Sequence, residues 1–472
     1  MTGCIVCELV LLLLTLVSHS DASASKKLCG NPLFLTPLIE RGEVERAREC
    51  ASVPSMIKGE GVTSYAGFFT VNGTYNSNLY FWFFPSETDE RNAPVAIWLQ
   101  GGPGGSSLFA LFKENGPLVI TSTLEVKKRK YYWSKNINLI YFDNPVGTGF
   151  SFTDNDAGYA KNEEDVARNL YAALRQFFIV FPEYQKNEFY ITGESYAGKY
   201  IPALGHKIHA ENPRSEIKIN LVGLAIGDGW VDPVHMMVYS KYLYQHGLID
   251  TATAAKMRRI EKKTVQLIKR GKFHAANQHW NRILGTMLSN QAGPIDVYDF
   301  LKLGSDNWPD KISLEFFNRS SVREDVHVGN LTFHDGNKVY AKLFNDMPKS
   351  VAPWLVEMME NYRVLLYSGE LDIIVAYPLT TNFVKQLQWS GSKDYGSAKR
   401  KLWFVDNELA GYSTNVGNFT QLLVRNAGHM VPWQQPRWAW DMITRFTRNV
   451  PLSSSGLKRT EDHLPNSGVR LP

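Results

Sequence analysis

The amino-acid sequence predicts an α/β fold with a mostly parallel central sheet flanked by helices. Short apolar runs typical of buried strands, such as residues 95–99 and 138–143, alternate with helical segments such as residues 163–178. Residues 189–198 have the pattern of a strand, a tight turn and the start of a helix. Alternation of this kind implies helices on both faces of the sheet.

The predicted elements follow in chain order. Strands are predicted at residues 65–71, 79–84, 95–99, 138–143, 221–226, 363–367, 402–405 and 420–424, and helices at residues 163–178 and 436–448. The Asn72-Gly73 pair between the first two strands predicts a hairpin turn. Residues 235–272 indicate helices, within an insertion that would cover the sheet as a helical cap.

These elements divide the chain into five predicted regions. They are a signal peptide (residues 1–24), a first core part (25–229), a helical cap insertion (230–353), a second core part (354–450) and a polar tail (451–472). The signal peptide is indicated by an apolar run over residues 5–17, although Glu8 lies inside it and no Lys or Arg precedes it. No later run approaches the length of a membrane span, so we expect no membrane partner.

The composition is that of a globular protein, with 44% hydrophobic and 21% charged residues and a formal net charge of +5. The densest basic run covers residues 127–130. We expect it to be a solvated turn rather than a nucleic-acid patch.

A glycine-rich loop follows the predicted strand at residues 95–99. It lacks the Gly-Lys-Ser/Thr ending of a phosphate-binding loop and the spacing of a dinucleotide fingerprint, so we expect no nucleotide. The sequence predicts no metal and no other cofactor. The Gly101-Gly102 pair has another use, because N–H groups free of side-chain bulk can point at a developing oxyanion.

Sequons and cysteines agree with export. Four sequons predict N-glycosylation, at Asn72, Asn318, Asn330 and Asn418. After removal of the signal peptide only Cys29 and Cys50 remain, and a disulfide between them is a hypothesis. We therefore expect a protein of the secretory pathway, either secreted or lysosomal.

The tight turn Gly193-Glu194-Ser195-Tyr196-Ala197 is similar to the nucleophile elbow of α/β-hydrolase enzymes. Such a turn is strained, needs small neighbours and lifts the serine hydroxyl above the sheet. Ala197 stands where the motif has its second glycine, and it is still small enough to avoid the following helix. On this motif alone, an ordinary strand-to-helix turn explains the sequence equally well.

Two further residues would complete a catalytic triad in the order Ser, acid, His. Of the histidines after Ser195, only His429 directly follows a strand pattern and a tight turn. Asp372 and Glu370 both follow the preceding strand. Position alone leaves both open as the acid that orients the imidazole.

Six stretches together resemble the serine carboxypeptidase family, in particular its vitellogenic-carboxypeptidase-like branch. They are residues 98–107 (WLQGGPGGSS), 143–151 (DNPVGTGFS), 193–200 (GESYAGKY), 227–233 (GDGWVDP), 369–372 (GELD) and 427–432 (AGHMVP). They occur in the family's order and span nearly the whole mature chain. The resemblance implies an α/β-hydrolase fold and peptidase chemistry.

The resemblance also implies residue roles. They are nucleophile Ser195, general base His429 with its orienting acid Asp372, oxyanion-hole amides of Gly102 and Tyr196, and substrate carboxylate-binding residues Gln100, Glu114 and Glu194. Two close acids keep one another protonated, so they can bind a carboxylate and favour activity in acid. Acid disfavours a neutral imidazole, so the site must lower the pKa of His429 or use a small neutral fraction. Without the resemblance, Glu114 would be interpreted as a glutamate on a helix surface.

Three positions depart from the family's pattern. Many members have cysteine where Gly105 and Val375 stand, so the disulfides and thiol effects of those members should not be carried over. Gln100 replaces an asparagine and lengthens the amide arm by one methylene. This makes the expected substrate preference less defined.

The sequence therefore predicts a serine carboxypeptidase that removes residues from peptide or protein C-termini through an acyl-enzyme. An acyltransferase or esterase on the same scaffold is one alternative. A binding or protective protein with an idle site is the other. A homodimer is compatible with the sequence, which does not define the oligomeric state.

Overall fold

A computed structural model describes residues 29–57, 61–304 and 309–453. The predicted signal peptide and residues 454–472 of the predicted tail lie outside the described residues. Across the 11-stranded central sheet, the strands lie in this order: Ser52–Val53, Ser64–Asn72, Ser77–Phe84, Asn138–Phe142, Val95–Leu99, Phe189–Glu194, Leu221–Gly227, Arg363–Gly369, Phe419–Val424, Glu408–Val416 and Lys401–Val405.

The middle of this sheet is parallel and both of its edges are antiparallel. The strands from Asn138–Phe142 to Phe419–Val424 in that order run parallel to their neighbours. The remaining pairs are antiparallel. The predicted α/β fold with a mostly parallel sheet is confirmed.

Helices flank the sheet and form most of the long insertion. The helices are Thr36–Glu40, Val44–Ala51, Glu163–Val180, Ala197–Glu211, Pro233–Met236, Tyr239–Gln245, Thr251–Lys269, Phe273–Arg282, Leu288–Ala292, Lys311–Asn318, Ser320–Asp325, Asn337–Leu343, Ala352–Asn361, Tyr377–Val384, Ser392–Ser397, Val431–Gln434 and Pro436–Thr447. No helix in the described residues is long and apolar enough to span a bilayer.

Side chains of the central strands alternate between two buried layers, as the period of two in a strand requires. Ile97 packs in the layer that contains Phe177, whereas its neighbour Trp98 packs in the layer that contains Met442. Both faces are therefore covered by helices. This explains why the central strands appear in the sequence as continuous apolar runs.

The insertion also contains a β-hairpin that the sequence did not predict. Its strands are Ile295–Asp296 and Asp299–Leu303. The carbonyl of Val297 accepts hydrogen bonds from the N–H groups of Ile373 and Ile374, at 3.0 and 3.1 Å. The hairpin thus contacts the loop that follows strand Arg363–Gly369. The proposed boundaries of the cap and core regions remain a prediction.

The predicted hairpin turn between the first two strands is confirmed, because Ser64–Asn72 and Ser77–Phe84 pair antiparallel. The turn is longer than two residues: the Asn72 side chain accepts from Thr74 N, and the left-handed residue is Asn76, with φ +46°. Strand Glu408–Val416 was missed, since its apolar residues are few and Gly411 interrupts them. The hypothesised Cys29–Cys50 disulfide is present, with Cα atoms 5.6 Å apart.

Candidate active site

Ser195 lies at a sharp corner between strand Phe189–Glu194 and helix Ala197–Glu211. Its φ of +62° is in the left-handed region, which is unfavourable for a residue with a Cβ atom. Its N–H donates to the Gly227 carbonyl at 2.9 Å, and its carbonyl accepts from Trp230 N at 2.9 Å. Hydrogen bonds to the end of the neighbouring parallel strand, Leu221–Gly227, and to the loop after it therefore fix the backbone of Ser195.

Glycine is required where the oxyanion loop approaches this corner. A Cβ atom on Gly101 would lie 2.5 Å from the Cβ of Ser195 and 2.6 Å from Tyr196 N. A Cβ on Gly193 would lie 3.0 Å from the Cβ of Ala197. Alanine at position 197 is therefore accommodated because its neighbour across the turn has no side chain.

His429 and Asp372 meet at the ends of two adjacent parallel strands. His429 Nδ1 lies 2.9 Å from Asp372 Oδ2, and both side chains are buried. The N–H groups of Ile374 and Val375 donate to Asp372 at 2.9 and 3.2 Å. A Cβ atom on Gly369 would overlap the Gly428 carbonyl, so glycine there lets the two loops approach.

Glu370, the alternative acid, is placed elsewhere. Its Oε2 accepts from the Asn426 N–H at 3.2 Å, and the residue is half-buried. Asp372 rather than Glu370 is therefore the carboxylate hydrogen-bonded to His429.

The insertion hairpin supports His429 from its other side. The N–H of His429 donates to the Tyr298 carbonyl at 2.7 Å, and the two rings have centroids 5.1 Å apart. Its Nε2 is buried and has no hydrogen-bond partner in the described residues, which leaves it available to a proton. Burial lowers the pKa of His429, but the charge and hydrogen bond of Asp372 outweigh it and the net pKa is raised.

The two predicted oxyanion-hole amides are free. Neither the N–H of Gly102 nor that of Tyr196 donates a hydrogen bond to another group of the described chain. The glycine-rich loop is fixed by a buried carboxylate, Asp143, which accepts from Ser106 Oγ at 2.5 Å and Ser107 N at 3.1 Å. This supporting role of Asp143 was not predicted from the sequence.

Gln100 and Glu194 form a fixed pair beside the nucleophile. Trp98 Nε1 donates to Gln100 Oε1 at 2.8 Å, so the Gln100 amide nitrogen must be the atom that donates to Glu194 Oε1, also at 2.8 Å. The orientation of this amide is thus defined by its two partners. Gln100 therefore reaches Glu194 despite its extra methylene.

Glu114 is buried, not on a helix surface. It ends a π-helical turn, Ala110–Glu114, and its side chain has no solvent exposure. Neither oxygen of Glu114, nor Oε2 of Glu194, has a hydrogen-bond partner in the described residues. Burial, followed by the charge of Glu194, raises the pKa of Glu114 well above its usual value. Burial also raises the pKa of Glu194 to about 7.

One residue of the basic run corrects the expectation of a solvated turn. Arg129 donates to the Phe112 carbonyl at 2.7 Å and to the Gly116 carbonyl at 2.9 Å. It therefore holds the turn that carries Glu114. Burial lowers the pKa of Arg129. A run of basic letters does not show which side chain turns inward.

A serine on a strained strand-to-helix corner, together with a buried His–Asp pair on later strands, defines a hydrolase of the α/β-hydrolase class. A family model described as serine carboxypeptidase matches residues 54–449. The chain belongs to the serine carboxypeptidase family, and it is a serine-type hydrolase with carboxypeptidase activity.

Curated relatives and a solved structure agree with this assignment. The chain is 48% identical to the venom serine carboxypeptidase of Apis mellifera, over 89% of this chain and 91% of that protein. It is 45% identical to the vitellogenic carboxypeptidase of Aedes aegypti, over 89% and 90%. The structure of Kex1(delta)p, a prohormone-processing carboxypeptidase from Saccharomyces cerevisiae, matches with a TM-score of 0.75 and 25% identity, over 85% of this chain and 96% of that chain.

Proposed function

We propose that the protein removes C-terminal residues from peptides through an acyl-enzyme on Ser195. His429 takes the Ser195 proton through Nε2 and later returns it to the leaving amine, while Asp372 holds the tautomer with the proton on Nδ1. The free N–H groups of Gly102 and Tyr196 stabilise the oxyanion of the tetrahedral intermediate.

The observation that carries the exopeptidase specificity is the buried group of Gln100, Glu114 and Glu194. A neutral carboxyl can donate its O–H to a substrate carboxylate, whereas an ionised one would repel it. The missing donors and the burial of Glu114 favour its protonated form. We therefore assign these three residues to the binding of the substrate's C-terminal carboxylate.

Two pH effects oppose each other in this proposal. Binding of the substrate carboxylate weakens as pH rises through about 7, because Glu194 then ionises. General-base catalysis weakens as pH falls below the raised pKa of His429. We propose that activity is favoured in acid through KM, with the enzyme using a small neutral fraction of His429.

The first test compares a blocked dipeptide that has a free C-terminus with its C-terminal amide, from about pH 4 to pH 8. We expect cleavage of the free acid alone, with a KM that is lowest in acid. Ser195→Ala should abolish this cleavage while the melting temperature stays unchanged. Equal cleavage of both substrates would contradict the carboxylate-binding role.

The two alternatives predict different results in the same assay. An esterase or acyltransferase needs no substrate carboxylate, so Glu114→Gln and Glu194→Gln would leave its activity unchanged. A binding or protective protein would not react with a fluorophosphonate probe. We expect the probe to label Ser195, and Ser195→Ala to abolish labelling.

We propose that the chain enters the secretory pathway, as a secreted or lysosomal glycoprotein. The Cys29–Cys50 disulfide supports an oxidising compartment. Asn318, Asn330 and Asn418 are exposed and accessible to glycosylation, and Asn72 is half-buried. Mass spectrometry before and after treatment with peptide N-glycosidase tests the four sites, and the N-terminal sequence of the exported protein tests cleavage after residue 24. A homodimer stays a hypothesis for light scattering.

A further inference from the structure

Another buried carboxyl lies beside the His–Asp pair and has no part in the proposed reaction. Asp228 directly follows strand Leu221–Gly227 and is fully buried. One oxygen of Asp228, one oxygen of Asp372 and one ring nitrogen of His429 lie within 4.8 Å of one another. Asp228 therefore contributes a polar group to the centre of the candidate site.

Asp228 is held in place by its backbone and by one of its oxygens. Its N–H donates to the Tyr367 carbonyl at 2.7 Å, and its Oδ1 accepts from Gly369 N at 2.9 Å. Its φ of +41° is in the left-handed region, which aspartate and asparagine tolerate better than other non-glycine residues. The other oxygen, Oδ2, is buried and has no hydrogen-bond partner in the described residues.

The two neighbouring aspartates differ in how many donors they receive. Asp372 accepts three hydrogen bonds, from Ile374 N, Val375 N and His429 Nδ1. A carboxylate offers about four acceptor positions, so Asp372 has one left. Asp228 receives one donor from the described residues, Gly369 N. Two adjacent buried carboxylates cannot both keep a full charge, so one proton must be held between them.

We propose that Asp228 is a protonated positioning residue, whose O–H donates to the remaining acceptor position of Asp372 and holds that carboxylate toward His429. The proton belongs on Asp228, because Asp372 has three donors that stabilise its charge. A neutral donor orients Asp372 without adding a second negative charge next to the imidazole. The inference rests on the proposed roles of Asp372 and His429.

The surrounding ionisable groups favour the same assignment. The titratable groups that interact with Asp228 or Asp372 include His429, Glu194, Tyr239, Tyr242, Tyr298 and Tyr367. Burial, followed by the charge of Asp372, raises the pKa of Asp228 well above its usual value. The groups that shift its pKa are Asp372, Glu194 and the Gly369 N–H, and none of them is a lysine or an arginine of the described part of the chain.

The test compares Asp228→Asn with Asp228→Ala. Asparagine keeps an acceptor for Gly369 N and a donor for Asp372, but it cannot ionise. We expect Asp228→Asn to keep kcat/KM within about threefold, and Asp228→Ala to lower kcat about tenfold or more with little change in KM. Glu261→Gln is the matched control, because Glu261 is a buried carboxyl of the insertion that binds Ser240.

The acid limb of the pH profile distinguishes orientation from a merely structural role. If Asp228 is already neutral, Asp228→Asn leaves the acid limb of kcat/KM in place. If it is ionised, removing its charge moves that limb down by about one pH unit or more, which overturns the proposal. A folded Asp228→Ala protein with unchanged kcat also overturns it.

Infrared spectroscopy gives a readout that is independent of activity and of the stability of the alanine variant. The difference spectrum between the wild type and Asp228→Asn should contain the carbonyl band of a protonated carboxyl at neutral pH. Absence of the band, or one equivalent of a divalent cation that Asp228→Asn loses, overturns the proposal. If Ser195→Ala or Asp372→Asn stays active, the proposed function fails while the infrared band remains.

Discussion

The candidate active site contains two sets of buried carboxyls: Asp372 beside His429, and the pair Glu114 and Glu194. The two sets differ in the hydrogen-bond donors that reach them. Asp372 accepts three hydrogen bonds, from two backbone N–H groups and from His429. Among the residues that the structure describes, Glu194 accepts one, from Gln100, and Glu114 accepts none. All three side chains are fully buried.

The difference shows that burial alone does not determine the charge of a carboxyl. Desolvation raises the pKa of any buried acid, and hydrogen bonds to the charged form lower it again. The loop after strand Arg363–Gly369 supplies such donors to Asp372, whereas the π-helical turn Ala110–Glu114 supplies none to Glu114. One site can therefore keep an anion for the imidazole and a neutral acid for a substrate anion.

The largest expected effect on activity comes from removing the negative charge of Asp372. Asp372→Asn should lower kcat by about 10⁴-fold, because the amide favours the wrong imidazole tautomer. Steady-state kinetics with the free-acid dipeptide would measure this, and circular dichroism would verify the fold. A loss of less than tenfold would mean that Asp372 does not orient His429.

The next largest effect comes from truncating Glu114, the carboxyl that we expect to be neutral. Glu114→Ala should raise KM for the free-acid substrate by about 10- to 100-fold, because hydrogen bonds to charged groups contribute about 1.5–3 kcal/mol each. We expect kcat to change much less. Glu261→Gln, in the insertion, should leave KM unchanged. An equal loss in kcat and no change in KM would assign Glu114 to the chemical step instead.

The Glu194→Gln variant tests whether the charge of Glu194, rather than its shape, controls the pH dependence of KM. In the wild type, KM for the free acid should rise as pH increases through about 7, since Glu194 loses its proton there. Glu194→Gln cannot ionise, so its KM should stay flat over the same range, by kinetics at about six pH values between 5 and 9. A KM that still rises would identify another titrating group as the cause.

The smallest effect concerns stability. The pKa of Glu194 in the fold is about 7, above the unfolded value of about 4.3, so its contribution is fully present below pH 4.3 and lost as pH rises to about 7. As pH rises from about 4 to 8, the wild type should therefore lose about 1–3 kcal/mol more of its free energy of unfolding than Glu194→Gln does. Urea unfolding at the two pH values measures the difference. An unchanged difference would indicate that Glu194 is ionised in the fold.

Much of the fold could be predicted because its signals are local. The central strands were predicted within about two residues, since runs such as Val95–Leu99 are buried on both faces and bounded by glycine. Strand Glu408–Val416, second from the edge of the sheet, was missed because only part of it is in the core and its pattern is weak. The hairpin at Ile295–Leu303 was missed for a different reason: it is rich in apolar residues, but Leu301 and Leu303 are exposed, and its position depends on the loops that it contacts.

Some residues of the candidate active site could likewise be predicted from local sequence, and others could not. The turn around Ser195 has a sequence signature, because a strained corner needs small residues at fixed spacing. Glu114 has no such signature from residues alone, since its burial depends on a π-helical turn that Arg129, from the following loop, holds by hydrogen bonds. The sequence motif contains Asp228, but it does not predict that Asp228 lies beside Asp372. The two residues come together only because they follow adjacent strands of the sheet.

The sequence by itself determined the parallel sheet, the position of the nucleophile corner and the family. These follow from the periodicity of apolar residues and from short motifs, both of which are local properties of the chain. The resemblance chose Asp372 over Glu370, whereas only the tertiary structure turned Arg129 inward and placed Asp228 beside the Asp372–His429 pair. Burial and hydrogen bonding are set by residues far apart in the chain, and these two quantities determine which acids are charged.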